Sequence, residues 1–396
     1  MRIATSTFQN DAVGQIDSLY TALANTQQDL STGLKVRTAA DDPTGMAQVN
    51  QMNVEISASA QYVTNSNTAQ TNLQLEEQAL SDASNVLQNA NSLAVQANSS
   101  VLTQAQRQNI ATELSQDLQT LVAIGNRTDS NGNFLFGGIA NSTTPFTQSG
   151  NSVVYNGASS VIQVQISQNQ SLSIGDTGAT AFMNVPAGNG TFVTAAAATN
   201  TGTATISPGT IQDASQWVPD TYTLSFTDPT DYQVTNSSGT VVASGTYQDG
   251  DAISFNGAQV TVSGSPAAGD QFTISGPAGT TSAFGALTSL ISTLNSTTLN
   301  NGQFATAVGN AIQQINNTVT NFSNVSASVG ARLNAITTSQ TTAQANQTSL
   351  KTNVGAITNT DYAAATTQLS TEELALQAAQ ESYASIAKLS LFQFLQ

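Results

Sequence analysis

The side chains in this chain that could do chemistry are almost all carboxylates. The 396 residues include 24 Asp and Glu and eight Lys and Arg, but neither Cys nor His. Thiolate nucleophiles, imidazole bases, disulfides and the usual zinc sites are therefore excluded. The net charge of −16 disfavours binding to nucleic acid or to an anionic membrane, because like charges repel. The expected partners are proteins or cations.

Two short segments bring carboxylates together in the sequence. Asp41 and Asp42 are adjacent, and Asp249 and Asp251 are separated by one glycine. Hard cations need six or more oxygen ligands, and neither segment has a supporting ligand pattern. We interpret Asp42 and Pro43 as the N-cap and first position of a helix, and the second segment as a polar hairpin turn. Three alternatives remain: a metal site at Asp41 and Asp42, calcium binding at Asp249 and Asp251, and a carboxylate-based glycosidase in the middle of the chain. The sequence predicts no enzyme, cofactor or metal site.

Charge and proline divide the chain into two flanks and a different middle. No Lys or Arg lies between Arg127 and Arg332, and seven of the eight prolines lie from Pro145 to Pro277. Because proline is excluded from helix interiors, the flanks are free to be helical. The middle is rich in β-branched and aromatic residues punctuated by turn residues, which indicates strands. Strands are predicted at 161–166, 222–226 and 259–262, and a surface loop at 194–205. We interpret the middle as an acidic insert that faces solvent.

Apolar residues recur in steps of three and four along both flanks, which is the heptad pattern of coiled coils. The first seam contains Ile16, Tyr20, Leu23, Leu30 and Leu34, and the last contains Leu369, Leu376, Tyr383 and Ile386. Another seam runs from Ala69 to Val101, with Glu76 as its only polar member. A capping box at Thr103 and Gln106 predicts a further helix, which ends near Gly125.

These seams predict an elongated molecule. A helix over residues 44–101 would be about 87 Å long at 1.5 Å per residue, whereas a compact globule of this chain length has a radius of gyration of about 21 Å. We therefore predict an α+β fold, with a long α-helical coiled-coil rod formed by both termini and a central β-rich inserted domain. Many seam positions hold Ala, Gln, Ser or Thr, so we expect weak stabilisation within one chain. Packing between subunits and an ordinary bundle within one chain both fit this pattern.

The two ends of the chain resemble bacterial flagellins and their hook-associated relatives. The resemblance lies in the segments LSTGLKV (30–36), AADDP (39–43) with Gly45, NRTDSNGNFLFGG (126–138), VGAR (329–332), NTDY (359–362) and LSLFQFL (389–395). The opening MRIAT (1–5) and the phrase GNFLFG (132–137) are similar to the branch that joins the hook to the filament.

The resemblance implies a structural protein of the extracellular flagellum at the hook-filament junction. Such proteins form a ring that connects hook to filament and templates flagellin assembly; filament-forming flagellin is the alternative. The implied partners are further copies of the chain, an adjacent hook-associated junction protein, flagellin and a cytosolic type III export chaperone. Export without a cleaved signal peptide is expected, and the sequence contains neither a secretory signal nor a run of eighteen apolar residues.

The resemblance also implies five segments and a set of assembly residues. The segments are 1–43, the first helix and turn of an inner assembly domain; 44–140, the N-terminal half of the rod; 141–283, the β-rich acidic insert; 284–358, the C-terminal half of the rod; and 359–396, the C-terminal helix of the assembly domain. Subunit assembly is expected to use Ile16, Tyr20, Leu23, Leu30, Gly33, Leu34, Asp41, Asp42, Pro43, Arg332, Leu369, Leu376, Tyr383 and Ile386. The chaperone is expected to bind Leu369, Leu376, Tyr383 and Ile386. Gly33 is expected to let the chain leave the first helix in a left-handed or close-packed conformation.

Overall fold

Helices occupy both flanks of the chain and strands occupy its middle. The computed structural model describes residues 2–99, 101–150 and 152–394. The helices are α1 (Arg2–Thr32), α2 (Pro43–Ala97), α3 (Gln104–Gly125), α4 (Ala283–Asn295), α5 (Asn301–Thr358) and α6 (Tyr362–Phe394). The strands are β1 (Phe146–Ser149), β2 (Ser152–Tyr155), β3 (Gln163–Ser167), β4 (Gln170–Ser173), β5 (Val185–Pro186), β6 (Val193–Ala196), β7 (Thr205–Ile206), β8 (Thr210–Ile211), β9 (Thr221–Asp228), β10 (Asp231–Thr235), β11 (Val241–Thr246), β12 (Ala252–Phe255), β13 (Ala258–Ser263), β14 (Gln271–Ser275) and β15 (Thr280–Thr281). The predicted α+β class, with long helices from both termini and a β-rich middle, is confirmed.

The chain divides into two compact units. Unit 1 contains Met1–Val63 and Gln340–Gln396, and unit 2 contains Thr64–Ser339. Both α2 and α5 contribute residues to each unit. In unit 1, α1 packs against α6.

The helical part of unit 2 encloses two apolar clusters. The seam on α2 is buried as predicted, with Leu73, Leu80 and Leu87 fully inaccessible to solvent. From Ala79 to Ala97 it packs with the apolar faces of α3, α4 and α5 in one cluster, and Ala69 and Leu73 pack against α5 in another. Val101 is the exception at 83% exposure, because α2 ends at Ala97. The seam residues of unit 2 are thus buried within one chain.

Two local signals in this part of the chain are confirmed. The Thr103 hydroxyl accepts the Gln106 N–H while the Gln106 carboxamide accepts the Thr103 N–H, which is the predicted capping box, and α3 ends at Gly125.

A short helical turn, Ala179–Met183, inserts Phe182 into an aromatic cluster. Its ring centroid lies 5.0–5.7 Å from those of Phe136, Phe146, Phe284 and Phe322.

The strands of the insert form antiparallel sheets around a second core. Five strands are ordered β11-β10-β9-β14-β6, and a smaller sheet contains β12, β13, β7 and β8. The three predicted strands correspond to β3, β9 and β13. The loop predicted at 194–205 is wrong at both ends, because Thr205 belongs to β7, and because β6 pairs with β14 and Thr194 is buried. Its small Ala and Thr side chains lack the alternation that marks a strand, and the neighbouring strand supplies the missing hydrogen bonds.

Two aspartates of the insert face inward, contrary to the expected solvent-facing role. Asp270 is 2% exposed and accepts the N–H groups of Thr201 and Ala267, each at 2.8 Å. Asp176 pairs with Arg332 on α5. Buried carboxylates need such donors because ionised groups are costly to remove from water.

Candidate assembly site

The end of α1 depends on a glycine. Gly33 has a φ of +70°, in the left-handed region as expected, and a Cβ at this position would lie 3.0 Å from the Tyr362 hydroxyl. Side chains other than glycine are strained in this conformation. Gly33 therefore lets the chain turn away from α1 next to the start of α6.

The turn after α1 pairs with the turn between α5 and α6. The Lys35 N–H donates to the Thr358 carbonyl at 2.7 Å, and the Thr360 N–H donates to the Gly33 carbonyl at 2.9 Å. Leu34 and Asn359 form the β-bridge between them. We call residues 33–36 and 358–360 the paired turn. Its backbone bonds connect two segments that are far apart in sequence.

Two adjacent carboxylates order the chain between the paired turn and α2. Asp42 accepts the N–H groups of Thr44 at 3.1 Å and Gly45 at 3.0 Å, so it caps α2, whose first residue is Pro43. Asp41 instead accepts the N–H groups of Arg37 and Thr38. The pKa of Asp42 lies below its ordinary value, mainly because of the Gly45 N–H, and that of Asp41 is lowered mainly by the Thr38 N–H. The predicted N-cap and first helical position are confirmed.

Several residues of this region have roles that sequence reasoning missed. The Arg37 guanidinium lies 3.3 Å from the Asp29 carboxylate, which ties the turn to the last part of α1. A Cβ on Gly45 would collide with the Asp42 carboxylate and lie 3.2 Å from Ile357 of α5. Gly45 could be found from the sequence, because it follows the segment 39–43 that resembles flagellins. No pattern in the sequence around Arg37 indicates its partners.

The predicted seam residues of α1 and α6 meet in unit 1 but are incompletely buried. Leu376 is 8% exposed, whereas Tyr20 is 51% exposed and its hydroxyl accepts a hydrogen bond from Gln380 at 2.8 Å. Half-buried side chains are those of Ile16, Leu23, Leu30, Leu369 and Tyr383. Leu34 is 36% exposed, and the side chain of Ile386 lies outside the described part of the chain.

Arg332 belongs to unit 2, whereas the other predicted assembly residues belong to unit 1. Its guanidinium forms an ion pair with Asp176, and its side chain is 13% exposed. The structure thus engages Arg332 within its own chain.

Neither a metal centre nor a membrane segment occurs in the parts of the chain described here. Within residues 2–99, 101–150 and 152–394, no three Asp or Glu residues are grouped so that they could hold a metal ion. No helix in these ranges combines the length and apolarity needed to cross a membrane.

The segment at 249–251 forms a turn in which the Asp249 carboxylate accepts the Gly264 N–H at 2.7 Å. This turn joins β11 and β12, which belong to different sheets, so it is not a hairpin turn.

Comparison with known families defines the class of protein. Residues 3–141 match the family described as the bacterial flagellin N-terminal helical region. Residues 195–276 match the D2-like domain of flagellar hook-associated protein 1. The N-terminal flank and the insert therefore each match a family of flagellar proteins.

Solved structures narrow the family further. FlgL from Xanthomonas campestris is 32% identical with a TM-score of 0.70, and the match covers 78% of this chain and 99% of that one. The flagellar junction protein FlgL from Legionella pneumophila is 31% identical with a TM-score of 0.67, covering 74% and 99%. The chain belongs to the FlgL family of flagellar hook-associated proteins.

Curated relatives match over a smaller part of their length. Flagellar hook-associated protein 3 of Salmonella typhimurium is 27% identical over 185 residues, which are 47% of this chain and 58% of that protein. The chain thus spans little more than half of this relative. Flagellin of the same organism is 32% identical over only 111 residues, or 22% of its length.

Proposed function

We propose that this chain is a structural junction protein of the bacterial flagellum, which connects hook to filament and has no catalytic role. Membership of the FlgL family supports this proposal, as do solved relatives that match along nearly their whole length. The shorter match to flagellin makes filament formation the second candidate.

The observation that carries the assembly role is the incomplete burial of unit 1. Val13, Val54 and Leu374 are each at least 50% exposed, although they lie on the long helices of this unit. Isolated exposed apolar residues are common on protein surfaces. Here they accompany seam residues that are only half-buried, so a neighbouring subunit would gain the burial that one chain lacks.

The five segments and the predicted site residues follow from this proposal. Segments 1–43 and 359–396 form the inner assembly domain, 44–140 and 284–358 form the rod, and 141–283 faces outward. The seam residues of α1 and α6, together with the paired turn, contact neighbouring subunits in a ring, next to another hook-associated junction protein and flagellin. Before export by the type III apparatus, α6 binds a cytosolic chaperone through Leu369, Leu376, Tyr383 and Ile386. Export requires no cleaved signal.

The proposed function is tested by deletion and by localisation. A strain that lacks the gene is expected to build hooks without filaments, and the intact gene is expected to restore them. Immunogold labelling of intact flagella is expected only at the base of the filament. Filaments that remain attached in the deletion strain would contradict the proposal, and label along the whole filament would select flagellin instead.

A further inference from the structure

Glu76 is a buried carboxyl group in the apolar core of unit 2. It lies on the buried face of α2 and is 1% exposed. Both of its carboxylate oxygens accept the Asp176 N–H, at 3.1 and 3.2 Å. Asp176 belongs to residues 174–178, which follow β4 and lead into the turn that carries Phe182; we call them the clasp loop. Glu76 therefore joins α2 to the clasp loop.

The charges around Glu76 do not balance if every group is ionised. The Asp176 carboxylate faces Glu76 from the clasp loop, and the Arg332 guanidinium binds Asp176 from α5. Asp129 lines the same small cavity from the 129–133 turn. Among the described residues, the Glu76 and Asp176 carboxylates thus share one guanidinium; Glu76 is buried, and the side chain of Asp176 is 19% exposed. Burying an unpaired negative charge is costly, and two close carboxylates resist simultaneous ionisation.

A neutral Glu76 fits this site better than an ionised one. Burial is the main cause that raises the pKa of Glu76, and the negative charge of Asp176 adds to it, so that the pKa reaches about 8. Arg332 and the Asp176 N–H act in the opposite direction. The adjoining cavity of about 40 Å³ is lined in part by Asn72, Asn133 and Asn141. It has room for water, which could reach the carboxylate once ionised.

We infer that Glu76 holds a proton at neutral pH, and that this proton fastens the clasp loop to α2 and α5. The protonated Glu76 can donate to the Asp176 carboxylate while Asp176 remains paired with Arg332. Loss of the proton places two negative charges side by side and loosens the loop. Because the loop continues into Phe182, loosening would reach the aromatic cluster. The inference does not depend on the proposed junction function.

The direction of the pH effect follows from linkage. The pKa of Glu76 is raised in the folded state above the ordinary 4.5, so the stabilising contribution is complete below that pH and is lost as pH rises through about 8. Between these values, opening the clasp loop releases one proton. The opening equilibrium is therefore expected to rise by up to about tenfold per pH unit, and to level off above the folded pKa.

Hydrogen exchange of the full chain tests this inference. Exchange of residues 170–178 is measured by mass spectrometry from pH 5.5 to 9, after correction for the intrinsic chemical rate. In the wild type, we expect opening to increase with pH up to about 8. Glu76→Gln, which mimics the neutral acid, should stay closed throughout. Glu77→Gln is the matched control, because Glu77 is the adjacent exposed residue of α2, and it should behave like the wild type.

Two results would overturn the inference. One is that the corrected hydrogen exchange of the clasp loop in the wild type does not change with pH. The other is the same pH dependence in Glu76→Gln as in Glu77→Gln. If Glu76→Gln does not fold, infrared spectra of the wild type can detect the protonated carboxyl group directly. A protonated carboxyl band is expected at pH 6 and should disappear by pH 9; its absence at pH 6 would also count against a protonated Glu76.

Discussion

Units 1 and 2 share the long helices α2 and α5, but they bury apolar side chains to different extents. In unit 2, the helices and the sheets enclose three apolar clusters, and most cluster residues are less than 5% exposed. In unit 1, the buried apolar side chains among the described residues are few and small for its size: Val36, Val49, Ala343, Ala365 and Leu376. Unit 2 thus buries its apolar clusters within one chain, whereas most apolar side chains of unit 1 that the structure describes are at least partly exposed.

The difference comes from what covers each part of the long helices. In unit 2, the Ala and Leu seam of α2 is covered by α3 and α4 as well as by α5. In unit 1, α1 and α6 pair with each other, and most of the described apolar residues in their seams are half-buried or exposed. The same heptad spacing therefore leads to a sealed core in one unit and to an open face in the other. Spacing alone does not determine burial.

The largest expected effect on the isolated chain is in unit 2. Phe182→Ala removes a fully buried ring that contacts four other aromatic rings. Large-to-small changes of this kind cost about 3–5 kcal/mol, because a cavity is left behind. The free energy of unfolding, measured with urea and circular dichroism, should fall by this amount. A loss below about 1 kcal/mol would show that unit 2 is less tightly packed than described.

An intermediate effect is expected at the paired turn. Gly33→Ala places a Cβ in the left-handed region and close to the Tyr362 hydroxyl, at a cost of about 1–2 kcal/mol. Because Lys35 lies in this turn, trypsin should cleave after it faster than in the wild type. Gly14→Ala is the matched control, since no heavy atom lies near its Cβ position in α1. That change should stabilise the helix, and equal cleavage of both variants would contradict the role of Gly33.

Acid should loosen the start of α2 by a smaller and local effect. The pKa of Asp42 is lowered in the folded state, so its contribution is present above the ordinary 3.8 and is lost as pH falls through the lower folded pKa. Exchange of residues 42–48, corrected for the intrinsic rate, should increase below that pH.

Asp42→Asn serves as the control for this prediction, because asparagine caps helices about as well as aspartate does but does not titrate. It should keep the start of α2 ordered and remove most of the acid dependence. Acid loosening that is unchanged in Asp42→Asn would assign the effect to another group.

The smallest effect on the isolated chain is expected where assembly matters most. Val13 is 50% exposed on α1, so Val13→Asp should change the free energy of unfolding by no more than about 0.5 kcal/mol. The same variant should fail to restore filaments in a deletion strain, because a charge would enter the interface between subunits. Val241→Asp, at an exposed edge strand of the insert, is the control and should restore them. If both variants restore filaments, Val13 does not lie in the interface between subunits.

Features marked by adjacent residues could be predicted from the sequence, whereas features made by distant residues could not. Asp42 before Pro43, and Thr103 three residues before Gln106, mark helix starts because capping is a local interaction. The pairing of Gly33 with Thr360 joins turns at opposite ends of the chain, and no local pattern records it. Both segments are among those that resemble flagellins, but the resemblance did not indicate that they contact each other.

Glu76 illustrates the same limit. Its place in an apolar seam identifies it from sequence as an unusual residue. Its partners, Asp176 in the insert and Arg332 on α5, are known only from the fold. The strand β6 was missed for a related reason, since Ala and Thr acquire their strand conformation by pairing with β14.

Cysteine accessibility tests most directly the claim that unit 1 is completed by neighbouring subunits. The chain contains no cysteine, so a single introduced thiol is unique. Leu374→Cys lies on α6 of unit 1 at a position that is 68% exposed, and Val241→Cys lies on the insert. In the purified chain, both thiols should react with a maleimide. In intact flagella, Val241→Cys should still react and Leu374→Cys should be protected, whereas equal labelling of both thiols in flagella would contradict the account.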